Sequence, residues 1–202
     1  MSTYNEKAKQ SFNTRLRFFK FNCAVNEMVF NKENFLRFKL EEQEAIIAIY
    51  TAQYCQWLDN DQLKGIGKTL TVEGAYEAIT DISLSKEDES DWFADYMEQF
   101  EIRYPYNIFE NHSKADTCEY CKMTLDTISK LADNQKIFKK HSTRGYTMEI
   151  DRKKPNLEYT TENCVPCCYW CNNAKTDEFD DVEFKPIAQE IRKALESRLD
   201  ES

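Results

Sequence analysis

Three Cys-x-x-Cys pairs, Cys118/Cys121, Cys164/Cys167 and Cys168/Cys171, share about fifty residues of this chain with the dipeptide Asp151-Arg152 and with Asn163 and Asn172. A Cys-x-x-Cys turn presents two sulfurs to one ion because the backbone between them curls around it, and two such turns close a tetrahedral site. Cys118, Cys121, Cys168 and Cys171 are the expected set, a structural zinc site whose two turns are separated by 46 residues. Cys164-Val-Pro-Cys167 has the same spacing and overlaps the choice; packing as small buried hydrophobes is the expectation for these two. Oxygen donors of the kind a hard cation takes stand between the turns, the Asp151 carboxylate, and immediately after the second, the Asn172 carbonyl. Asn163 stands in the loop between them, placed to hold that loop or the general base by hydrogen bonds.

The elements that must position these groups are legible as pattern. Tyr146-Thr-Met148-Glu-Ile150-Asp alternates, which predicts a strand with Tyr146, Met148 and Ile150 on the core face and Glu149 and Asp151 on the other. Pro155 ends the strand, and a helix is expected from Cys168 onward. A short helix, Thr124 to Leu131, follows the first cysteine turn. The last helix, Asp181 to Leu199, carries Phe184, Ile187, Ile191, Leu195 and Leu199 at spacings of three or four. Upstream, residues 30–58 read as one helix, a second starts at Thr71, and a third follows Ser90 with Trp92, Phe93, Tyr96, Met97 and Phe100 on one face. Residues 11–30, with Arg15, Arg17, Phe18, Phe19, Lys20 and Phe21, suit helix or strand equally. The fold class expected is α+β: a mostly α-helical region over 1–108, and over 109–202 a small zinc-stapled domain with a closing helix. Tyr104-Pro105-Tyr106 marks the boundary.

Composition narrows the partners. The chain has 202 residues and a net charge of −9. Residues 1–110 hold 12 Lys/Arg against 19 Asp/Glu, and residues 111–202 hold 15 against 17. Within 136–154, Lys136, Lys139, Lys140, Arg144, Arg152, Lys153 and Lys154 face only Glu149 and Asp151. A local basic patch on an acidic body suits contact with phosphate at one place rather than general coating of nucleic acid. No run of about 18 apolar residues occurs, so no membrane span is expected, and the charged start lacks a signal core. A cytoplasmic location with reduced thiols follows as the expectation. Gly65-Ile-Gly67-Lys68-Thr69 lacks the glycine a phosphate loop needs at its first position, where Gln62 stands, so nucleotide binding there is dismissed.

Taken together, Glu149-Ile-Asp151-Arg152-Lys-Lys-Pro155, Tyr159-Thr-x-x-Asn163-x-Val165 and Cys168-Tyr-Trp-Cys171-Asn172-Asn173-Ala174-Lys175-Thr176-Asp177 resemble the HNH endonucleases of the ββα-metal superfamily, in the zinc-knuckle branch of bacteria and phages. The resemblance covers about 118–185, with Glu183-Phe184 opening the closing helix. It implies metal-dependent hydrolysis of DNA phosphodiesters, in a bacterial cell or phage-infected host, with defence among the roles such nucleases serve. Asp151 and Asn172 would hold Mg2+ or Mn2+, and Asn163 matches the middle asparagine. Where familiar members place a general-base histidine this sequence has Arg152, which stays protonated with a pKa above about 12.

Three routes to a proton acceptor stay open: His141, a contribution from Tyr146 or Tyr120, or direct activation of water by the ion while Arg152 clamps the phosphate. Arg152 as stabiliser of the transition state with His141 as base is favoured, and His112 is a weaker candidate. Glu149 could join the ion or orient a neighbour. Lys139, Lys140, Arg144, Lys153, Lys154 and Lys175 are the expected DNA contacts. The acidic helical region, with Trp57 and Trp92, is a candidate docking face for a protein partner. A catalytically silent zinc module that binds nucleic acid or protein is the alternative.

Overall fold

A computed structural model describes residues 3–54, 82–137 and 144–200. They form a helix-rich α+β chain with one small sheet, in two compact units. One unit comprises Ala8–Gln99 and Asn156–Glu158; the other comprises Met1–Lys7, Phe100–Pro155 and Tyr159–Ser202. No described helix is long and apolar enough to cross a membrane.

The first of these units is helical. It contains most of α1 (Tyr4–Asn26), then α2 (Lys32–Arg37), a 3-10 turn (Leu40–Glu42), α3 (Glu44–Tyr54) and most of α4 (Lys86–Arg103). Residues 11–30, which the pattern left open, are helical through Asn26. Aromatic side chains build the core: Phe12 meets Phe35 and Tyr96 at ring-centroid distances of 5.2 and 5.5 Å, and Phe35 meets Trp92 at 5.3 Å. Trp92 is therefore core, 6% exposed, and not part of a docking face; Trp57 and the helix expected from Thr71 lie outside the described residues.

The single helix expected over 30–58 is broken instead. Asn31 caps α2 by accepting from the Asn34 N–H at 2.8 Å, and Phe38 turns extended after it. That turn buries both Phe38 and Leu40, which a continuous helix would place about 160° apart. The third expected helix begins earlier than Ser90, at Lys86, because Ser85 Oγ accepts from the Asp88 N–H at 3.0 Å.

Polar groups close this core where rings cannot. Arg15, 2% exposed, donates through Nε to Glu158 Oε1 at 3.0 Å and through Nη1 to Gln99 Oε1 at 2.7 Å. The Tyr96 hydroxyl donates to the same Glu158 oxygen at 2.6 Å. A charge pair this deep survives because its hydrogen bonds are satisfied.

The other unit holds α5 (Tyr106–Ser113), α6 (Leu125–Asp133), β1 (Glu149–Arg152), β2 (Cys164–Cys167), α7 (Tyr169–Lys175) and α8 (Asp181–Asp200). The strands pair antiparallel in the register Glu149 to Cys167, Ile150 to Pro166, Asp151 to Val165 and Arg152 to Cys164. Met148 and Ile150 are buried as the alternation predicts, whereas Tyr146 is 50% exposed. The strand starts later than expected because residues 144–147 form bends, with Gly145 at φ 91°. Thr124 caps α6 by accepting from the Thr127 N–H at 3.2 Å. On α8 the buried stripe runs through Phe184, Ala188 and Leu195, with Ile191 and Leu199 partly buried. Ile187, expected in the stripe, is at its exposed margin, and Ala188 takes the core position.

Candidate functional site

The two cysteine turns are held by different local devices. In the first, the Cys118 N–H donates to the Met123 carbonyl and the Lys122 N–H to the Cys118 carbonyl. Lys122 adopts φ 57°, which folds the chain back after Cys121. Pro166 has no N–H to give the sheet, but its carbonyl accepts from the Glu119 N–H at 2.9 Å, fastening this turn to β2. In the second, Cys168 caps α7: its sulfur accepts from the Cys171 N–H at 3.5 Å and its carbonyl from the Asn172 N–H at 3.0 Å.

Cys118, Cys121, Cys168 and Cys171 are thereby gathered, all buried, with their sulfurs within 4.8 Å of one another. Cys121 Sγ and Cys168 Sγ are 3.7 Å apart. Hydrogen bonds from Cys121, then Cys168 and Cys171, push the Cys118 thiol down toward thiolate, while Cys118 and its neighbours push Cys168 and Cys171 up. Four thiolates cannot share one buried space without a cation, and four sulfurs in this arrangement can hold a metal ion of zinc's preferences. Cys164 and Cys167 are also buried but stand outside the cluster, in β2. Burial pushes the Cys164 thiol up to about 12 and raises Cys167 as well, so both remain thiols.

Beside this cluster a cleft of about 230 Å³ opens, lined by Asp151 and Arg152 of β1, Asn172 of α7, and Thr176 and Asp177 just after it. Lys7, Pro155 and Tyr159 complete much of the wall. The Asp151 Oδ2 accepts from the Tyr120 hydroxyl at 2.7 Å and lies 3.2 Å from Lys175 Nζ. Lys175 also donates to the Arg152 carbonyl at 2.8 Å and is fully buried. It was expected to face phosphate; its ammonium is instead consumed inside the unit, on the two residues that carry the motif. Arg152 places its guanidinium 5.0 Å from the Tyr159 ring centroid.

Asn163 does what its loop position suggested. Its side chain accepts from the Lys154 N–H at 2.9 Å and donates to the Lys154 carbonyl at 3.2 Å, while its own carbonyl accepts from the Lys153 N–H at 2.7 Å. Its N–H donates to Thr160 Oγ1 at 3.1 Å, so the segment after β1 is tied to the entry of β2.

Glu149 is not among the cleft residues. It is gripped by Arg144 at 2.9 and 2.7 Å and by the Asn172 side-chain amide. With the amide N–H turned to Glu149, Asn172 has its oxygen available as a ligand. Burial works to raise the Glu149 carboxyl, but those hydrogen bonds and the Arg144 and Lys7 charges outweigh it and hold it below the usual range. Arg144, expected on DNA, is thus engaged with Glu149 and lies 5.1 Å from the Tyr169 ring.

Of the other expected DNA contacts, Lys153 donates to the Glu162 carbonyl at 2.8 Å and Lys154 is exposed. Lys139, Lys140 and His141 lie outside the described residues. Burial, then the Asp151 charge, pushes the Tyr120 phenol far up, so it is a donor to Asp151 and no base. His112 bonds through Nδ1 to the Tyr104 hydroxyl at 2.9 Å and does not line the cleft.

The residue that pattern reading missed is Lys7. Its ammonium donates to the Ile150 carbonyl and the Tyr159 hydroxyl, both at 3.1 Å, across 143 and 152 residues of chain. No local motif marks it. Compared with models of known families, with curated proteins and with solved structures, the chain finds no match.

Proposed function

We propose that this chain is a metal-dependent endonuclease of the HNH type, a hydrolase that cuts or nicks DNA, with Zn2+ in the four-cysteine site as a structural staple. The observation that carries the reading is the arrangement around the cleft. A carboxylate near the end of a hairpin strand, Asp151, and an amide in the middle of the following helix, Asn172, line one space. The cysteines of the first turn of α7 gather with those of the turn before α6, and that turn is fastened to β2, the partner of β1. Asp151 and Asn172 offer oxygens only, which suits Mg2+ or Mn2+; bound there, such an ion supplies charge neutralisation at a phosphate. Arg152, permanently charged and steadied on Tyr159, clamps the phosphate oxygens. Asn163 keeps the segment behind Arg152 from shifting. Arg152 and Tyr120 cannot accept the proton; His141 is the favoured acceptor in this reading, beside Tyr146 and direct activation of water by the ion.

The second reading, a silent zinc module that binds nucleic acid or a protein, is favoured by the Lys175 ammonium on Asp151, which competes with a cation for one carboxylate oxygen. Purified protein on supercoiled plasmid separates the two. Conversion to nicked or linear DNA with Mg2+ or Mn2+, absent without them and lost in Asp151→Ala with zinc still bound, is the expected result. Full cleavage by Asp151→Ala overturns the site. A wild-type protein inert with every divalent ion leaves the silent module standing.

A further inference from the structure

The cleft has a cationic component that no motif announces. The first turn of α1 is fastened within its unit: the Tyr4 hydroxyl donates to the Tyr104 carbonyl at 2.6 Å, and its ring meets Phe100 and Phe109 at 5.2 and 5.3 Å. Lys7, one turn on, is thereby delivered to the cleft wall. Its ammonium is pinned by the Ile150 carbonyl and the Tyr159 hydroxyl. Both acceptors are neutral, and the ammonium's charge is shared with the Glu149 carboxylate, which it helps to hold ionised. An ammonium has three donors, and two are used in this grip. Lys7 Nζ lies 4.8 Å from the Tyr159 centroid, and the Arg152 guanidinium 5.0 Å from the same centroid. The two cations therefore share one aromatic partner, whose ring is attracted to each of them.

We propose that Lys7 and Arg152 form a phosphate-holding subsite for a polynucleotide backbone, Tyr159 being the platform that sets their spacing. This rests on the nuclease reading for its ligand and goes beyond it in giving the N-terminal turn of the chain a direct contact with substrate. Lys7 is a binding residue here: it holds a phosphodiester and takes no part in proton transfer.

The test is binding without turnover. A short fluorescein-labelled DNA duplex, and separately one of its strands, is titrated with full-length protein across a potassium chloride series without added magnesium or manganese, read by fluorescence anisotropy. Each lost phosphate contact should make the slope of log K against log [salt] shallower by about 0.9 on duplex, or about 0.7 on single strand. Lys7→Met is expected to show that change together with weaker binding at low salt, and Lys7→Arg to retain the wild-type slope. If Lys7→Met melts below the assay temperature, Lys7→Gln, which keeps a donor for Ile150, carries the same expectation. A variant slope equal to wild type overturns the subsite, as does wild-type protein that binds neither form of DNA. Cleavage with a Lys7-independent slope sinks the subsite alone; a Lys7-dependent slope without cleavage sinks the nuclease reading alone.

Discussion

Lys175 and Asp151 form an ion pair at 3.2 Å in which the ammonium is fully buried and the carboxylate is 16% exposed. The same carboxylate accepts from Tyr120, so Asp151 has a structural duty besides any duty to a cation.

Removing it should therefore be felt in stability. Asp151→Ala strands a buried ammonium and is expected to lower the unfolding free energy by about 3 kcal/mol in a urea titration. Asp151→Asn keeps an acceptor for both donors and should cost less than half as much. An alanine variant as stable as wild type would show that Lys175 finds its compensation in the Arg152 carbonyl alone.

The cysteines divide into two experimental classes. Cys118→Ser should lose bound zinc, measured by elemental analysis, together with protease resistance of the segment around α6 and α7, because ion binding and folding are one event in so small a core. Cys164→Ala should keep full zinc occupancy and cost about 1 kcal/mol, the burial lost with one small side chain. Zinc loss in Cys164→Ala would mean that β2 supplies a ligand after all.

His112 gives a pH signature. Burial, then the nearby Lys153 charge, lowers its pKa below the ordinary 6.5, so the folded protein binds this proton less well than the unfolded chain does. Stability from this group is full above 6.5 and falls as the pH drops from there through the lowered value, where it levels off. Melting temperature should accordingly decline as the pH falls below 6.5. His112→Gln should flatten that decline without touching zinc content. A variant that loses stability over the same window as wild type would move the effect to other groups.

The cysteine turns and most of the buried stripe of α8 were legible in the sequence because each is a local property: spacing of two residues for a metal turn, a period of three or four. Asn163 was legible for the same reason, since its partners Lys153 and Lys154 are ten and nine residues away. The helical state of α1 was not, because Ala8, Phe12, Phe18, Phe19, Phe21 and Cys23 are buried on more than one face and blur the period that marks an amphipathic helix. The fate of Lys175 escaped too: a lysine one turn after Cys171 was expected to face phosphate, and only the position of Asp151 allows its burial. Lys7 is the extreme case, a cleft residue whose contacts are all distant in sequence.

The segment between β1 and β2 leaves one compact unit at Pro155, spends Asn156–Glu158 in the other, and returns at Tyr159. Glu158 is the buried partner of Arg15, whereas Pro155 and Tyr159 line the cleft. The chain thus passes from unit to unit four times, and neither unit is a contiguous stretch of gene. A cassette cut out at residue 109 would carry the cysteines, Asp151 and Asn172 but would arrive in a new host without Lys7 and with Glu158 bereft of its arginine. Recombination can move this cleft only as a whole.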